Sequence, residues 1–359
     1  MKSQLSFIII GFFFCLFVSG CGEDFAAPEA DSEQVPILFS ALSVSTSTDA
    51  ETRTRAATTD FPNNGKIAVL AANAEEHTTN LDWNDLHLNH AAANAGTKNS
   101  NKYPVTLEST QYWPFDGDKY LSFAAYSPAS ARTANANTLT VTATAQTPFP
   151  DLLYSTPTRV YNKVTGAAGV ELTEFKHAMA RVVIKVIPVN EDGSEISGYN
   201  SDNFKITQLN IQTQATTGTF DFLAGAPAWT LPASDGNFVT VYNLINAPSY
   251  SDAKAKKLPY DSDACYLLPL ATNNRLELSK VGFQVSDKAY TYTYSGSDGS
   301  LDEFKNESNG SITLEMGKTT VLTIKVRVMD IQNGGNNNIL LYGTLKGWEY
   351  KGNSTVTIN

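Results

Sequence analysis

Apolar and polar residues alternate with period two over several stretches of this chain. In TTVLTIKVRVMD, Leu322, Ile324, Val326 and Val328 alternate with Thr323, Lys325 and Arg327, which predicts a strand with one buried and one wet face. AYTYTYS sets Tyr290, Tyr292 and Tyr294 on one face in the same way. VPILFSALSV (35–44), KIAVLA (66–71), YLSFAAYSP (120–128) and ARVVIKVIPV (180–189) are apolar runs of strand length. In FKITQLNIQT, Phe204 and Ile206 are out of phase with Leu209 and Ile211 by one residue, and a β-bulge between the pairs would restore a common face. One helix candidate stands out, EEHTTNLDWNDLHLNHAAANA (75–95), short or broken. Many strands separated by Gly, Asn and Asp turns predict an all-β protein built of β-sandwiches.

The N-terminus follows a different pattern. Lys2 precedes an apolar run from Leu5 to Val18, too short for a comfortable membrane span and placed like a secretory signal peptide. The run ends in Val18-Ser19-Gly20-Cys21, which resembles a bacterial lipobox, so residues 1–20 read as a lipoprotein signal peptide and Cys21 as the lipidated residue. An ordinary signal peptide ending near a cysteine is the alternative. Cys15 lies inside the signal, which leaves Cys265 as the one other thiol; an exported chain of this kind has no intramolecular disulfide. GEDFAAPEADSEQ follows Cys21 and is acidic, Pro-containing and without apolar period, as a flexible tether would be.

Composition narrows the function classes. The formal net charge is −10 and basic residues do not cluster, which argues against nucleic acid and against an anionic membrane surface as partners. From Cys21 on, about 340 residues remain, enough for two domains. The polar stretch NEDGSEISGYNSDN (190–203) is the expected boundary; a long loop inside one domain is the alternative.

Candidate chemistry is sparse. His77, His87 and His90 lie close in sequence, with Asp82 and Asp85 near them, but a metal site needs three ligands in place, and polar surface residues are the expected reading. Asp116-Gly117-Asp118 offers oxygen ligands of the kind calcium takes, yet Asp-Gly between two strands is first a hairpin turn. Trp83, Trp113, Trp229 and Trp348 could stack on sugars, although such residues more often pack cores. G-x-S-x-G, H-E-x-x-H, P-loop and C-x-x-C motifs are all missing from the sequence. No nucleophile and base assemble, so no enzyme, no cofactor and no metal are expected.

In this order the segments resemble the fimbrillin family, the subunits of type V pili of Gram-negative anaerobes. The resemblance rests on the lipobox at Cys21, VPILFSALSV followed by TRTRA, YWPFDGDKYLSFAAYSP (112–128) and FKHAMARVVIKVIP (175–188). YLLPL (266–270), ITLEMGKTTVLTIKVRV (312–328) and LLYGTLKGWE (340–349) complete it. It implies two tandem transthyretin-like Greek-key β-sandwich domains, 56–195 and 196–359, after a signal peptide (1–20) and a lipidated tether and propeptide (21–55). It also implies export to the outer membrane as a lipid-anchored precursor, then cleavage by an Arg-specific protease at Arg53 or Arg55. Arg55 is favoured because AATTDF would then begin the mature subunit. The propeptide would carry a removable strand with Ile37, Leu38, Phe39, Leu42 and Val44. Other pilin subunits would fill the vacated groove by strand addition. Residues 339–359, hinged by NGGNNN (333–338), are the candidate donor; a plain last strand pair is the alternative. A pilus-tip adhesin, or a surface glycan-binding lipoprotein that stays anchored, is the alternative function, with a host glycan or protein as ligand.

Overall fold

The computed structural model describes residues 34–44, 65–78, 81–99, 102–116, 119–132, 137–144, 149–190, 192, 194–197, 203–213, 215–232, 239–244, 256–257, 260–261, 265–269, 276–285, 288–293, 314–327 and 339–347. From Val35 on, the chain is a unit of its own. Among the described residues it is built of strands, with one short 3-10 turn at Ala129–Ala131.

The first strands are β1 (Gly65–Ala74), β2 (Leu86–Ala95), β3 (Val105–Leu107), β4 (Tyr120–Ser127), β5 (Thr138–Thr142), β6 (Leu153–Ser155) and β7 (Lys176–His177). All but β5 form one six-stranded antiparallel sheet in the order β3-β2-β1-β4-β6-β7. The continuous apolar run in β1 has a physical reason: the strand is buried on both faces. Ala68, Leu70 and Ala72 face one core, and Ile67, Val69 and Ala71 face another. Its neighbour β4 divides likewise, with Ala124 and Tyr126 on the first side and Leu121, Phe123 and Ala125 on the second.

The helix expected within 75–95 is not formed; its second half is β2. Four alanines give HAAANA good helix propensity, but small side chains also let β2 lie flat between β1 and β3, and the pairing decides. Leu88, Ala93 and Ala95 are buried. The register slips between Val69↔Ala91 and Ala71↔Leu88, and His90 at this bulge takes a positive φ of 52°.

The later strands are β8 (Ala180–Val189), β9 (Phe204–Thr213), β10 (Thr217–Asp221), β11 (Ala228–Thr230), β12 (Val239–Leu244), β13 (Lys256–Lys257), β14 (Tyr260–Asp261), β15 (Cys265–Leu267), β16 (Leu276–Val285), β17 (Lys288–Thr293), β18 (Lys318–Arg327) and β19 (Ile339–Gly347). One sheet runs β12-β9-β16-β17, with β13 also on β9; another runs β14-β8-β18-β19, with β15 also on β8. The β8–β18 pair is parallel. The bulge expected in β9 is present: Gly282 pairs with Gln208 and Phe283 with Ile206, so Thr207 is the extra residue. It lets Phe204, Ile206, Leu209 and Ile211 all be buried. A Cβ on Gly282 would lie 2.7 Å from Thr207 Oγ1, so the bulge is closed over a residue without a side chain.

Pairing crosses the boundary expected at 195/196. β8 joins the sheet of β18 and β19, and β5 joins β10 and β11. The polar stretch after β8 turns back on it, Asn190 N donating to Ser194 O (2.8 Å) and Ile196 N to Pro188 O (3.1 Å). Tyr126 and Tyr154 of the first sheet meet Phe222 and Phe220 edge-on at centroid distances of 5.5 and 4.9 Å. One buried cluster thus runs from Leu70 and Tyr126 to Phe204, Leu322 and Ile324.

Candidate functional site

The second face of the six-stranded sheet is covered by the run Val35–Val44. This run lies extended between two other segments. On one side it is antiparallel to residues 103–113, with bridges Pro36↔Tyr112 and Leu42↔Tyr103; on the other it is parallel to 170–175, with bridges Phe39↔Val170 and Val44↔Phe175. Ile37 N donates to Gln111 O (2.7 Å) and Trp113 N to Val35 O (2.9 Å). These two bonds bracket Pro36, whose missing N–H is tolerated at the start of a strand. Leu42 and Tyr103 exchange both amide bonds at 2.9 Å. Toward the other wall, Val170 N donates to Leu38 O (2.7 Å), Ser40 N to Val170 O (3.0 Å) and Phe175 N to Ser43 O (2.8 Å). The run is therefore an inner strand, held by main chain on both sides.

Its side chains fill a core. Ile37, Leu42 and Val44 are 3%, 1% and 5% exposed and pack with Ile67, Val69, Phe123 and Phe175. Phe39 is half-buried and meets Phe123 edge-on at 5.6 Å. Leu38, named with the apolar residues of the removable strand, is 55% exposed, because alternation turns it away from the face that Ile37 and Phe39 share. Ile37 and Phe39 are odd-numbered and Leu42 and Val44 even, so the phase changes around Ser40. Gly169 sits at that point with φ +101°, and a Cβ there would lie 2.9 Å from Ser40 N. The turn that presents Gly169 is fixed by Asn162, whose Oδ1 accepts from Val164 N (3.1 Å) and Thr165 N (2.8 Å). The walls of this slot, Tyr103, Gln111, Gly169, Val170 and Phe175, were not identified from the sequence. Only the glycine carried a local signal, as turn punctuation.

Other expected residues fall apart. Cys21, Arg53 and Arg55 lie outside the described residues, as do Gly117, Asp118 and Trp348. His87 Nε2 donates to Tyr112 O at 2.7 Å, whereas His90 Nδ1 and the Tyr126 hydroxyl are hydrogen-bonded at 2.8 Å, so the two imidazoles serve separate partners. Tyr126 is wholly buried, and burial pushes its hydroxyl up to about 12 against the opposing pull of Arg132. Trp83 and Trp113 are core residues, and Trp229 Nε1 donates to Ala178 O at 2.7 Å. Of the candidate donor segment, β19 pairs antiparallel with β18 of its own chain over Lys318↔Gly347 to Val326↔Ile339.

An all-β chain with its own N-terminal run seated over one face of a sheet is the class that fold and slot define. The chain belongs to the Fimbrillin-like family, whose model matches residues 54–348. Among solved structures it is similar to a proposed cell adhesion protein from Bacteroides uniformis, with 15% identity, TM-score 0.50, and 89% of this chain and 99% of that chain covered. A proposed cell adhesion protein from Bacteroides ovatus matches at 12% identity and TM-score 0.46, covering 89% and 99%. A fimbrial protein from Bacteroides ovatus matches at 12% identity and TM-score 0.30, covering 73% of this chain and 46% of that chain. No curated protein matches the chain.

Proposed function

We propose that this protein is a non-enzymatic subunit of a surface fimbria, made as a lipoprotein precursor and polymerised after proteolysis. Family membership supports a pilus-type subunit at the cell surface that associates with other subunits. The finer reading is that Cys21 carries the lipid anchor on the outer membrane, an Arg-specific protease cuts after Arg55 or Arg53, and the run 35–44 is then released. The observation that carries it is the seating of that run. Nine residues before Arg53, the chain occupies an inner strand position whose loss would leave main-chain groups unpaired on both walls and a groove over Phe123 and Phe175. Such a groove favours capture of a strand from another subunit, and a head-to-tail contact that does not close gives a filament.

Treatment of the purified protein with an Arg-specific protease tests this. The expected result is cleavage confined to Arg53 or Arg55 by N-terminal sequencing, followed by SDS-resistant ladders. Resistance of both arginines in the folded protein would overturn the release step.

A further inference from the structure

We propose that an open cleft at one end of the six-stranded sheet is a binding site for a neutral saccharide. The cleft, of about 670 Å³, lies between the turn joining β1 to β2 and the loop leading into β4. Its rim carries Phe115, which is 64% exposed. Phe123, Tyr126 and Tyr154 of the sheet are buried and Tyr120 is partly so, so an open phenyl face at the mouth of a polar cleft stands apart from the packing that fixes the fold. A concave site with one apolar face and a few convergent polar groups is the usual form of a small-ligand site.

Described residues of both walls are tied by hydrogen bonds. The loop bearing Phe115 is tied by His87 Nε2, which donates to Tyr112 O (2.7 Å), and by Trp113 N, which donates to Val35 O (2.9 Å). The opposite turn is tied by Asp82 Oδ1, which accepts from Asn84 N (2.9 Å) and Asn84 Nδ2 (3.0 Å), and by Asn73 N, which donates to Asp85 O (3.3 Å). A wall fixed before binding loses little entropy on contact.

The polar lining selects the class of ligand. Glu75, Asp82, Asp85 and Asp116 supply acceptors, and Asn73 and Lys119 supply donors. Sugar hydroxyls both donate and accept, and the C–H face of a pyranose can lie on the Phe115 ring. Four carboxylates against one ammonium repel an anionic ligand, so uronic, sialic and sulfated sugars are disfavoured. Among the described residues no group of three His, Cys, Asp or Glu side chains is placed to hold a metal ion. The inference concerns a surface separate from the strand slot, and it stands whether or not the chain polymerises.

The test is a glycan array probed with the purified full-length protein, followed by calorimetry on the best hit. Neutral oligosaccharides should bind. Phe115→Ala should weaken that binding about three- to tenfold, the worth of one aromatic contact. Glu75→Gln should weaken it as well, and Val164→Ala, 74% exposed but outside the cleft, should leave it unchanged. All three positions lie at the surface, so circular dichroism should show every variant folded. Absence of binding on the array, binding confined to acidic sugars or to simple amines, or binding unaffected by Phe115→Ala would each overturn the proposal.

Discussion

Leu42 and Leu38 sit four residues apart on the same run, one 1% and the other 55% exposed. Truncating each to alanine is therefore an internal comparison of how firmly the run is seated. Leu42→Ala removes a buried side chain from a packed cluster, at a cost of about 2–5 kcal/mol. Leu38→Ala removes one that water already reaches, and should change stability by no more than about 0.5 kcal/mol. Hydrogen exchange reads the difference at the slot itself. The amides of Tyr103, Val170 and Phe175 donate to the carbonyls of Leu42, Leu38 and Ser43, so each is protected only while the run stays in place. If the slot opens locally, Leu42→Ala should speed their exchange by between roughly thirtyfold and a few thousandfold, up to the ceiling set by global unfolding. Amides in the β1–β4 ladder should change less. Equal protection in both variants would mean that Leu42 does not anchor the run, and the account of the slot would fail with it.

Three further outcomes follow from single positions. Gly169→Ala puts a Cβ 2.9 Å from Ser40 N on a residue with φ +101°; it should destabilise the protein by about 1–3 kcal/mol and make residues 35–44 accessible to limited proteolysis, whereas an unchanged urea midpoint would refute the close approach. Gly282→Ala should cost about 1–3 kcal/mol by crowding Thr207 Oγ1, and Thr207→Ala in the same chain should recover part of it in a double-mutant cycle; additive effects would count against the bulge packing. The Tyr126 hydroxyl is raised by burial from 10.0 to about 12, so its contribution is intact below pH 10 and is lost as pH climbs through 12. Melting temperatures recorded from pH 9 to 12 should fall less steeply in Tyr126→Phe than in the parent, and parallel curves would contradict the shift.

What could be read in the sequence was what local pattern encodes. The alternation in TTVLTIKVRV predicts β18, and Leu322 and Ile324 are buried as expected. The phase slip in FKITQLNIQT predicts a bulge between Ile206 and Leu209, because a strand must spend an extra residue to keep one face inward, and the structure puts it at Thr207. Pattern does not name partners. ARVVIKVIPV reads as a strand, but nothing in it says that β8 runs parallel to β18, more than a hundred residues later. The same limit hid the walls of the slot, since the bonds of Tyr103 and Val170 to the run are made by main chain, which carries no sequence signal. The helix misreading within 75–95 has the opposite origin, a local preference of alanine overruled by the ladder to β1.

The donor question turns on what β19 already has. Among the described residues β19 is the edge strand of its sheet, and it forms an unbroken antiparallel ladder with β18. To serve another subunit, residues 339–347 would have to give that ladder up, or the exchange would have to fall to residues beyond them. A slot filled by residues 35–44 offers no return for doing so; an empty one offers main-chain bonds on two sides and pockets at the positions of Ile37, Leu42 and Val44. Direction is specified, because one wall is antiparallel and the other parallel to the occupant. Side-chain identity is specified only at those few inward positions, so many apolar strands could be accepted. Under the proposed release step, control would lie in emptying the slot, and the C-terminal segment would compete for it only afterwards. Deleting residues 339–359 should then leave a folded precursor that is cut normally at Arg53 or Arg55 yet yields no ladders on its own, while still accepting a strand from intact subunits as a chain terminator. Normal polymers from the deleted chain alone would remove the donor assignment and leave β19 as a plain last strand.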